Sequence, residues 1–345
     1  KTAALGTGFL FTALRRSAPG QAIKTGRATR TKKAAEGTTW FDIREWGVEG
    51  KGWADTERYF DRLPARAKKV VRSPVWALSR HSAGMCVRFE TNAPTVFARY
   101  TLLSKRLAMP HMPATGVSGT DLYARDSSGG WRWVGVVRPT TSPGISARVA
   151  SGLPSQRRAY MLYLPLYNGV ASFEIGVPSG ASFWPLPPRK SKPIVFYGTS
   201  ITQGGCASRP GMAYASILGR RLDSPIINLG FSGNGTMDPE VVELLGELDA
   251  SVFVIDCLPN MHASLVEKRT EPLVMSLRKS RPHTPILLVE DRSYANAWLS
   301  PGTRRRNETS RAALRKAYER LVSSGVKGLE YLRGDGLLGN DHEAT

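Results

Sequence analysis

The sequence predicts an antiparallel β-sandwich followed by an α/β unit on a doubly wound parallel sheet. Three observations carry this. Short alternating strands separated by turn residues fill the stretch from Trp40 to Trp184. A Pro-rich, charged segment, Trp184–Pro193, then breaks the pattern and reads as a stiff linker. Beyond it, near-continuous apolar strands alternate with amphipathic helices, the mark of a parallel sheet covered on both faces. The expected division is a β-sandwich over 40–184, a linker over 185–193 and an α/β unit over 194–345. The chain's 345 residues suit two or three domains.

The strands can be justified one by one. Met85–Thr91 alternates apolar and polar residues. Asp121–Arg125 and Trp131–Val137 flank the turn Asp126–Gly130, giving a hairpin. Tyr160–Leu164 and Ala171–Val177 are two more strands, with Asn168 and Gly169 as the turn between them. After the linker, Ile194–Tyr197 is an apolar strand ending at Gly198, and Met212–Leu222 is helical. Ile226–Asn228 is the next strand. Pro239 opens a helix as its first residue, with Val241, Val242, Leu244, Leu245 and Leu248 facing inward. Val252–Asp256, a helix over Leu265–Leu277, Ile286–Glu290, a helix over Ala312–Val322, and Leu329–Leu332 complete the series.

At 41% hydrophobic residues the chain can bury sizeable cores, and no apolar run approaches the roughly 18 residues that span a bilayer. Lys and Arg number 48 against 28 Asp and Glu, a formal charge of +20. Eight of the basic residues precede any acid within the first 33 positions, so part of that excess belongs to a tail. The rest is spread, with clusters such as Arg304–Arg306, and reads as solvated surface rather than a nucleic-acid face. Thr2–Leu14 is apolar and of the length of a secretory h-region; Arg15–Lys33 is basic and aperiodic. Residues 1–39 are therefore expected to be an export-signal remnant and a disordered basic tail, and the protein to be periplasmic or extracellular. Cys86, Cys206 and Cys257 are too scattered for a disulfide framework or zinc cluster, and no cofactor or metal is expected.

In a doubly wound sheet, reactive groups collect at the carboxyl ends of the strands. Three strand ends carry unusual residues: Gly198–Gly204 with Ser200, Asn228–Gly235 with Gly233, and Asp256–Met261 with Asn260. A serine hydroxyl can attack an ester carbonyl when a base takes its proton, and the resulting oxyanion needs preorganised donors. The backbone N–H groups of Ser200 and Gly233 and the Asn260 amide are candidate donors. Glycine permits close backbone approach, and an amide donates without charge. The bland alternatives are a helix cap at Ser200, a turn at Gly233 and an Asx turn at Asn260. A phosphate loop is excluded by the spacing and by the lack of a following Lys-Ser/Thr pair; an α/β-hydrolase elbow is excluded because Thr202 stands where its second glycine belongs.

Taken in order, the three blocks resemble the SGNH (GDSL-like) hydrolase family from Ile194 to the end of the chain. The resemblance implies a flavodoxin-like doubly wound sheet, with Ser200 as nucleophile and Gly233 and Asn260 in the oxyanion hole. Thr199 departs from the family's usual acid. Gly119–Tyr123 resembles the Gly-x-Asp-Leu-Tyr signature of a β-domain that precedes some esterases of this kind. The family's general base comes from an Asp-x-x-His after the last strand. Here that region reads Gly334 to Thr345, with Asp341 and His342 adjacent rather than three apart, so the catalytic Asp and His are expected to be absent and the α/β unit incomplete at its C-terminus. His262 reads as a surface or core residue, and His283 falls at the amino end of its strand. The expected activity is hydrolysis of small acyl esters, O-acetyl groups on carbohydrate in particular, through an acyl-enzyme. The alternative is a catalytically inert binder of carbohydrate or surfaces on the same fold. Glu290–Arg292 reads as a structural salt bridge, with contact to substrate hydroxyls as the alternative, and Cys206 and Cys257 read as packing residues.

Overall fold

The computed structural model describes residues 37–339. The export-signal reading of Thr2–Leu14, most of the basic tail, and Asp341 and His342 therefore lie outside the described residues. No helix among the described residues is long and apolar enough to cross a membrane.

The first unit comprises β1 (Thr38–Asp42), α1 (Ser73–Ser79), β2 (Cys86–Thr91), β3 (Thr95–Leu102), α2 (Ala114–Val117), β4 (Asp121–Arg125), β5 (Trp131–Val136), β6 (Gly144–Ser151), β7 (Arg158–Tyr163), β8 (Val170–Pro178) and β9 (Phe183–Leu186). Its strands form two antiparallel sheets, β1-β8-β3-β6 and β5-β4-β7-β2-β9. Inward-facing residues of both, among them Val96, Tyr100, Phe173 and Ile175 opposite Val87, Phe89, Leu122 and Leu162, share one core. The β4–β5 hairpin is present as expected.

The turn expected at Asn168 is not a hairpin, because β7 and β8 lie in different sheets. The Asn168 side chain is buried and staples loops instead, accepting from Ser104 N at 3.0 Å and donating to Ser118 Oγ at 3.0 Å. Strand β9 carries pairing two residues into the expected linker, since Phe183 stacks on Phe41 at 4.2 Å and on Phe89 at 5.2 Å.

The second unit comprises β10 (Ile194–Gly198), α3 (Ser200–Gln203), α4 (Tyr214–Arg221), β11 (Ile226–Gly230), α5 (Pro239–Leu245), β12 (Val252–Asp256), α6 (Ala263–Ser280), β13 (Ile286–Val289), α7 (Pro301–Ser323) and β14 (Leu329–Leu332). All its strands are parallel, in the order β11-β10-β12-β13-β14. This is the 2-1-3-4-5 order of the flavodoxin-like sheet, whose ligand crevice lies where the strand order reverses beside its first strand. Helices α5, α6 and α7 bury one face, with Val195, Tyr197, Leu229, Phe253 and Ile255 beneath them. On the other face α4 covers Phe196 and Ile226, and an apolar groove of about 630 Å³ remains along Val252, Val254, Leu287 and Leu332.

The outer face of the five-stranded antiparallel sheet docks on the second unit. Asp121 accepts from Gly211 N at 2.9 Å, and the Arg220 guanidinium lies 3.9 Å from the Tyr123 ring centroid. Both residues come from the Gly119–Tyr123 signature, so its acid and its tyrosine serve the junction between the units.

Candidate active site

The parallel register pairs Gly198 with Gly230 on one side and with Asp256 on the other. The loops after β10, β11 and β12 therefore leave the sheet from one row, with neighbouring strands about 4.8 Å apart. The topology alone brings the three candidate segments together.

Ser200 is the first residue of α3, and the cap is its neighbour. Thr199 accepts from Ile201 N through its side chain, so the residue standing in place of the usual acid has a structural duty of its own. The N–H of Ser200 sits in the first turn, where a helix offers no acceptor. Its carbonyl accepts from Gly204 N, Gly205 N and the Tyr167 hydroxyl, the last at 3.2 Å. Among the described residues its Oγ has no hydrogen-bond partner. The short helix is pinned from below. Asn228 Nδ2 donates to the Thr202 carbonyl at 2.7 Å, and Thr202 Oγ1 donates to Asp256 at 3.1 Å.

Gly233 has φ +68° and is exposed, with open space where a Cβ would stand. Its glycine requirement is thus conformational, and the close approach expected there belongs to Gly235. A Cβ on Gly235 would overlap the Gly198 carbonyl and lie 2.9 Å from Thr199 N. The same loop is tied to β10 by Phe231 N donating to Gly198 O at 2.9 Å.

Asn260 ends the 3₁₀ turn Leu258–Asn260 and is not an Asx turn. Its Oδ1 reaches across to accept from Gly235 N at 3.3 Å. That contact assigns the oxygen, leaving Nδ2 as the donor. Gly235 therefore abuts the Gly198–Thr199 peptide on one side and the Asn260 amide on the other, so the loop that carries Gly233 meets both the entry to α3 and Asn260.

Under this platform lies a buried ion pair: Arg292 Nη2 donates to Asp256 Oδ1 at 2.8 Å, while Tyr214 and Thr202 occupy Oδ2. Burial pushes the Asp256 carboxyl upward, and Arg292 opposes it. Asp291 accepts from Asn307 at 3.0 Å; Glu290 accepts from Arg315, Tyr331 and Gly334 N. The Glu290–Arg292 run is engaged in these contacts, in keeping with the salt-bridge reading, while Asp291 Oδ1 and Arg292 Nη1 face each other at 4.0 Å without hydrogen bonds. Cys257 is fully buried as a packing residue, but Cys206 is exposed at φ +63°, which corrects the packing reading for it.

Sequence reasoning missed what the first unit contributes. Tyr167 reaches the Ser200 carbonyl, and burial pushes its hydroxyl up to about 12. His81 Nδ1 lies 3.0 Å from Gln203 Nε2; the amide nitrogen can only donate, so Nδ1 accepts and the ring is neutral. Burial and the nearby Arg62 drive this imidazole down to about 3. Gln203 also donates to Leu166 O at 3.1 Å and accepts from Ser232 N at 3.1 Å. Arg62 is wholly buried and bonds four backbone carbonyls from both units. No signal local in sequence marks Arg62, His81 or Tyr167, since most of their partners lie far along the chain.

Comparison with known proteins follows the same division. The profile of the GDSL-like lipase/acylhydrolase family matches residues 191–345, and that of the N-terminus of SGNH-hydrolase-type esterases, marked by GxDLY, matches 38–183. A crystal structure from Bacteroides ovatus ATCC 8483, of a protein classed as a GDSL-like lipase, is 33% identical with a TM-score of 0.84, covering 89% of this chain and 90% of that one. The salicylyl-acyltransferase SsfX3 of a tetracycline biosynthetic pathway is 20% identical with a TM-score of 0.65, covering 84% and 82%. A family two carbohydrate esterase from Cellvibrio japonicus is 11% identical with a TM-score of 0.57, covering 89% and 91%. The last two share the fold. No protein with a curated description matches the sequence.

Proposed function

Since the chain belongs to the GDSL-like lipase/acylhydrolase family, we propose that it is a serine esterase in which Ser200 is the nucleophile and Ser200 N–H, Gly233 N–H and Asn260 Nδ2 hold the oxyanion. The observation that supports this reading best is the Gly235 bridge, which sets Asn260 and the Gly198–Thr199 peptide, one residue ahead of Ser200, against one loop.

Ser200 Oγ attacks the ester carbonyl as its proton passes to a base. The oxyanion draws on three donors fixed beforehand, which cost no reorganisation when charge develops. Collapse expels the alcohol, which takes the proton, and leaves an acyl-Ser200 that water then hydrolyses. No described histidine bonds Ser200 Oγ, and the resemblance assigns the base to an Asp-x-x-His beyond the last strand. His81 is spoken for by Gln203 and is too weakly basic at neutral pH to serve.

The groups in contact with Ser200 are short or polar: Gly204, Gly205 and the Tyr167 hydroxyl. They suit a small acyl group, acetyl above all, on a hydroxyl-rich alcohol such as a carbohydrate; the likeness in fold to a carbohydrate esterase agrees with that choice. Thr2–Leu14 supports export. The test is turnover of 4-nitrophenyl acetate and acetylated xylan by the complete gene product, with fluorophosphonate labelling. Ser200→Ala should abolish both turnover and label. Equal labelling of wild type and Ser200→Ala removes Ser200 from its role, whereas a wild-type protein with neither turnover nor label favours an inert binder.

A further inference from the structure

Arg62 is 1% exposed, and among the described residues its charge pairs with no carboxylate: the adjacent Asp61 is taken by Arg80 Nε at 3.1 Å. A guanidinium without a counter-ion is expensive to bury unless its hydrogens are satisfied. Four of its five N–H groups bond backbone carbonyls. Nε donates to His81 O at 2.9 Å and Nη2 to Leu78 O at 2.7 Å, both in the first unit. Nη1 forks across the junction to Asn228 O at 2.9 Å and Gly230 O at 2.7 Å, in the last three residues of β11 before the Gly233 loop. The guanidinium also lies 5.0 Å from the Phe231 ring centroid, the first residue of that loop.

These bonds belong to a closed circuit. Arg62 holds His81 by its carbonyl, the His81 ring holds Gln203, and the Gln203 carboxamide accepts from Ser232 N. From Ser232 the chain runs back through Phe231 to Gly230, which Arg62 holds again. Gly233 follows directly after the segment so clamped. At φ +68° the glycine has open space where a Cβ would stand, and its N–H is aimed by the turn that Asn234 N closes on Phe231 O at 2.8 Å, a turn whose first residue follows Gly230 directly.

We propose that Arg62 is a positioning residue for the oxyanion hole, supplied by the β-sandwich and acting through the Asn228 and Gly230 carbonyls on the Gly233 N–H. The inference rests on Gly233 being an oxyanion donor. A misplacement of about 1 Å can cost on the order of 10² in rate. Binding of the ground-state ester does not depend on the hole to the same degree. Arg62 therefore governs kcat rather than KM.

The experiment compares Arg62→Met, Arg62→Lys and Gln203→Met in the complete gene product, using 4-nitrophenyl acetate kinetics, fluorophosphonate labelling and hydrogen exchange by mass spectrometry. Arg62→Met should lower kcat and the labelling rate about 100-fold with KM within threefold. Arg62→Lys, which keeps the charge and some donors, should recover about tenfold of that loss. Gln203→Met, which opens the circuit without unpairing a buried charge, should lower kcat about tenfold; it decides the matter if Arg62→Met does not fold. Exchange should quicken at 228–235 while the sandwich core stays protected. Unchanged kcat and unchanged exchange in Arg62→Lys and Gln203→Met overturn the proposal. So does a uniform rise in exchange across both units with kcat intact, which makes Arg62 a domain staple only. If Ser200→Ala still turns over, the esterase reading fails, and exchange at 228–235 alone decides whether Arg62 sets that loop.

Discussion

Two glycines on the same loop should respond in opposite ways to one added methyl group. At Gly235 a Cβ would overlap the Gly198 carbonyl and sit 2.9 Å from Thr199 N. Restoring ordinary contacts near 3.5 Å requires the loop and the end of β10 to part by about 1 Å. That shift falls on the Gly198–Thr199 peptide, which leads into α3 and Ser200, and on the N–H that holds Asn260 Oδ1. Gly235→Ala should therefore lower kcat/KM for 4-nitrophenyl acetate by about 10² or more and cost about 1–3 kcal/mol of stability. At Gly233 the space is empty and only the left-handed backbone resists, at about 1–2 kcal/mol. Gly233→Ala keeps its N–H, so kcat/KM should stay within about fivefold while Tm falls by roughly 2–4 °C per kcal/mol. Steady-state kinetics and thermal unfolding read both. A Gly233→Ala enzyme impaired as severely as Gly235→Ala, or an active Gly235→Ala, would refute the assignment of the close approach.

Asn260→Asp keeps the acceptor for Gly235 N but turns the free donor into a negative oxygen; kcat should fall by at least about 10³ with the urea midpoint nearly unchanged, and retention of a tenth of the wild-type rate would remove Asn260 from the hole. His81 is held neutral with its folded-state pKa near 3, below the ordinary 6.5, so its contribution is complete above pH 6.5 and drains away as pH falls toward 3. At pH 5 the loss is about 2 kcal/mol, which His81→Gln should be spared; parallel urea-stability profiles for the two proteins between pH 7.5 and 5 would contradict this. Arg292→Met strands a buried Asp256 and should cost about 3 kcal/mol or more in urea unfolding, whereas a cost under about 1 kcal/mol would mean the pair is not desolvated as the geometry has it.

The parallel sheet was legible because its strands are apolar on both faces and bounded by glycine, proline or a lone acid. Ile194–Gly198 and Ile226–Gly230 are buried at every position. Ser200, Gly233 and Asn260 could be named because a doubly wound sheet gathers strand ends, so order in sequence became adjacency in space. The sandwich was harder. Strand β3 alternates cleanly in burial over Thr95–Leu102, and β6 follows it, yet neither was picked out beside the stronger hairpin signal. The dipeptide Asn168-Gly169 says that the chain turns but not which sheet it enters; buried contacts to Ser104 and Ser118 decide that. Arg62 was invisible because its partners are peptide carbonyls, which every residue carries, and two of them stand 166 and 168 positions downstream. The reason for Gly233 was misread for a related cause: sequence shows that a glycine is present, and only backbone angles tell permissiveness from proximity.

The order in which the ribosome delivers these groups matters. Arg62, His81 and Tyr167 emerge well before Gln203 and Gly230, and N-terminal units fold first during synthesis. Until the later strands exist, the Arg62 fork has only two of its four carbonyls and must keep its charge in water. The nascent sandwich thus carries a hydrated notch that closes only when the end of β11 arrives to dry it. Drying of the junction waits on the second unit, and a polypeptide stalled before β11 would be folded in its first half with its strand-end loops not yet assembled.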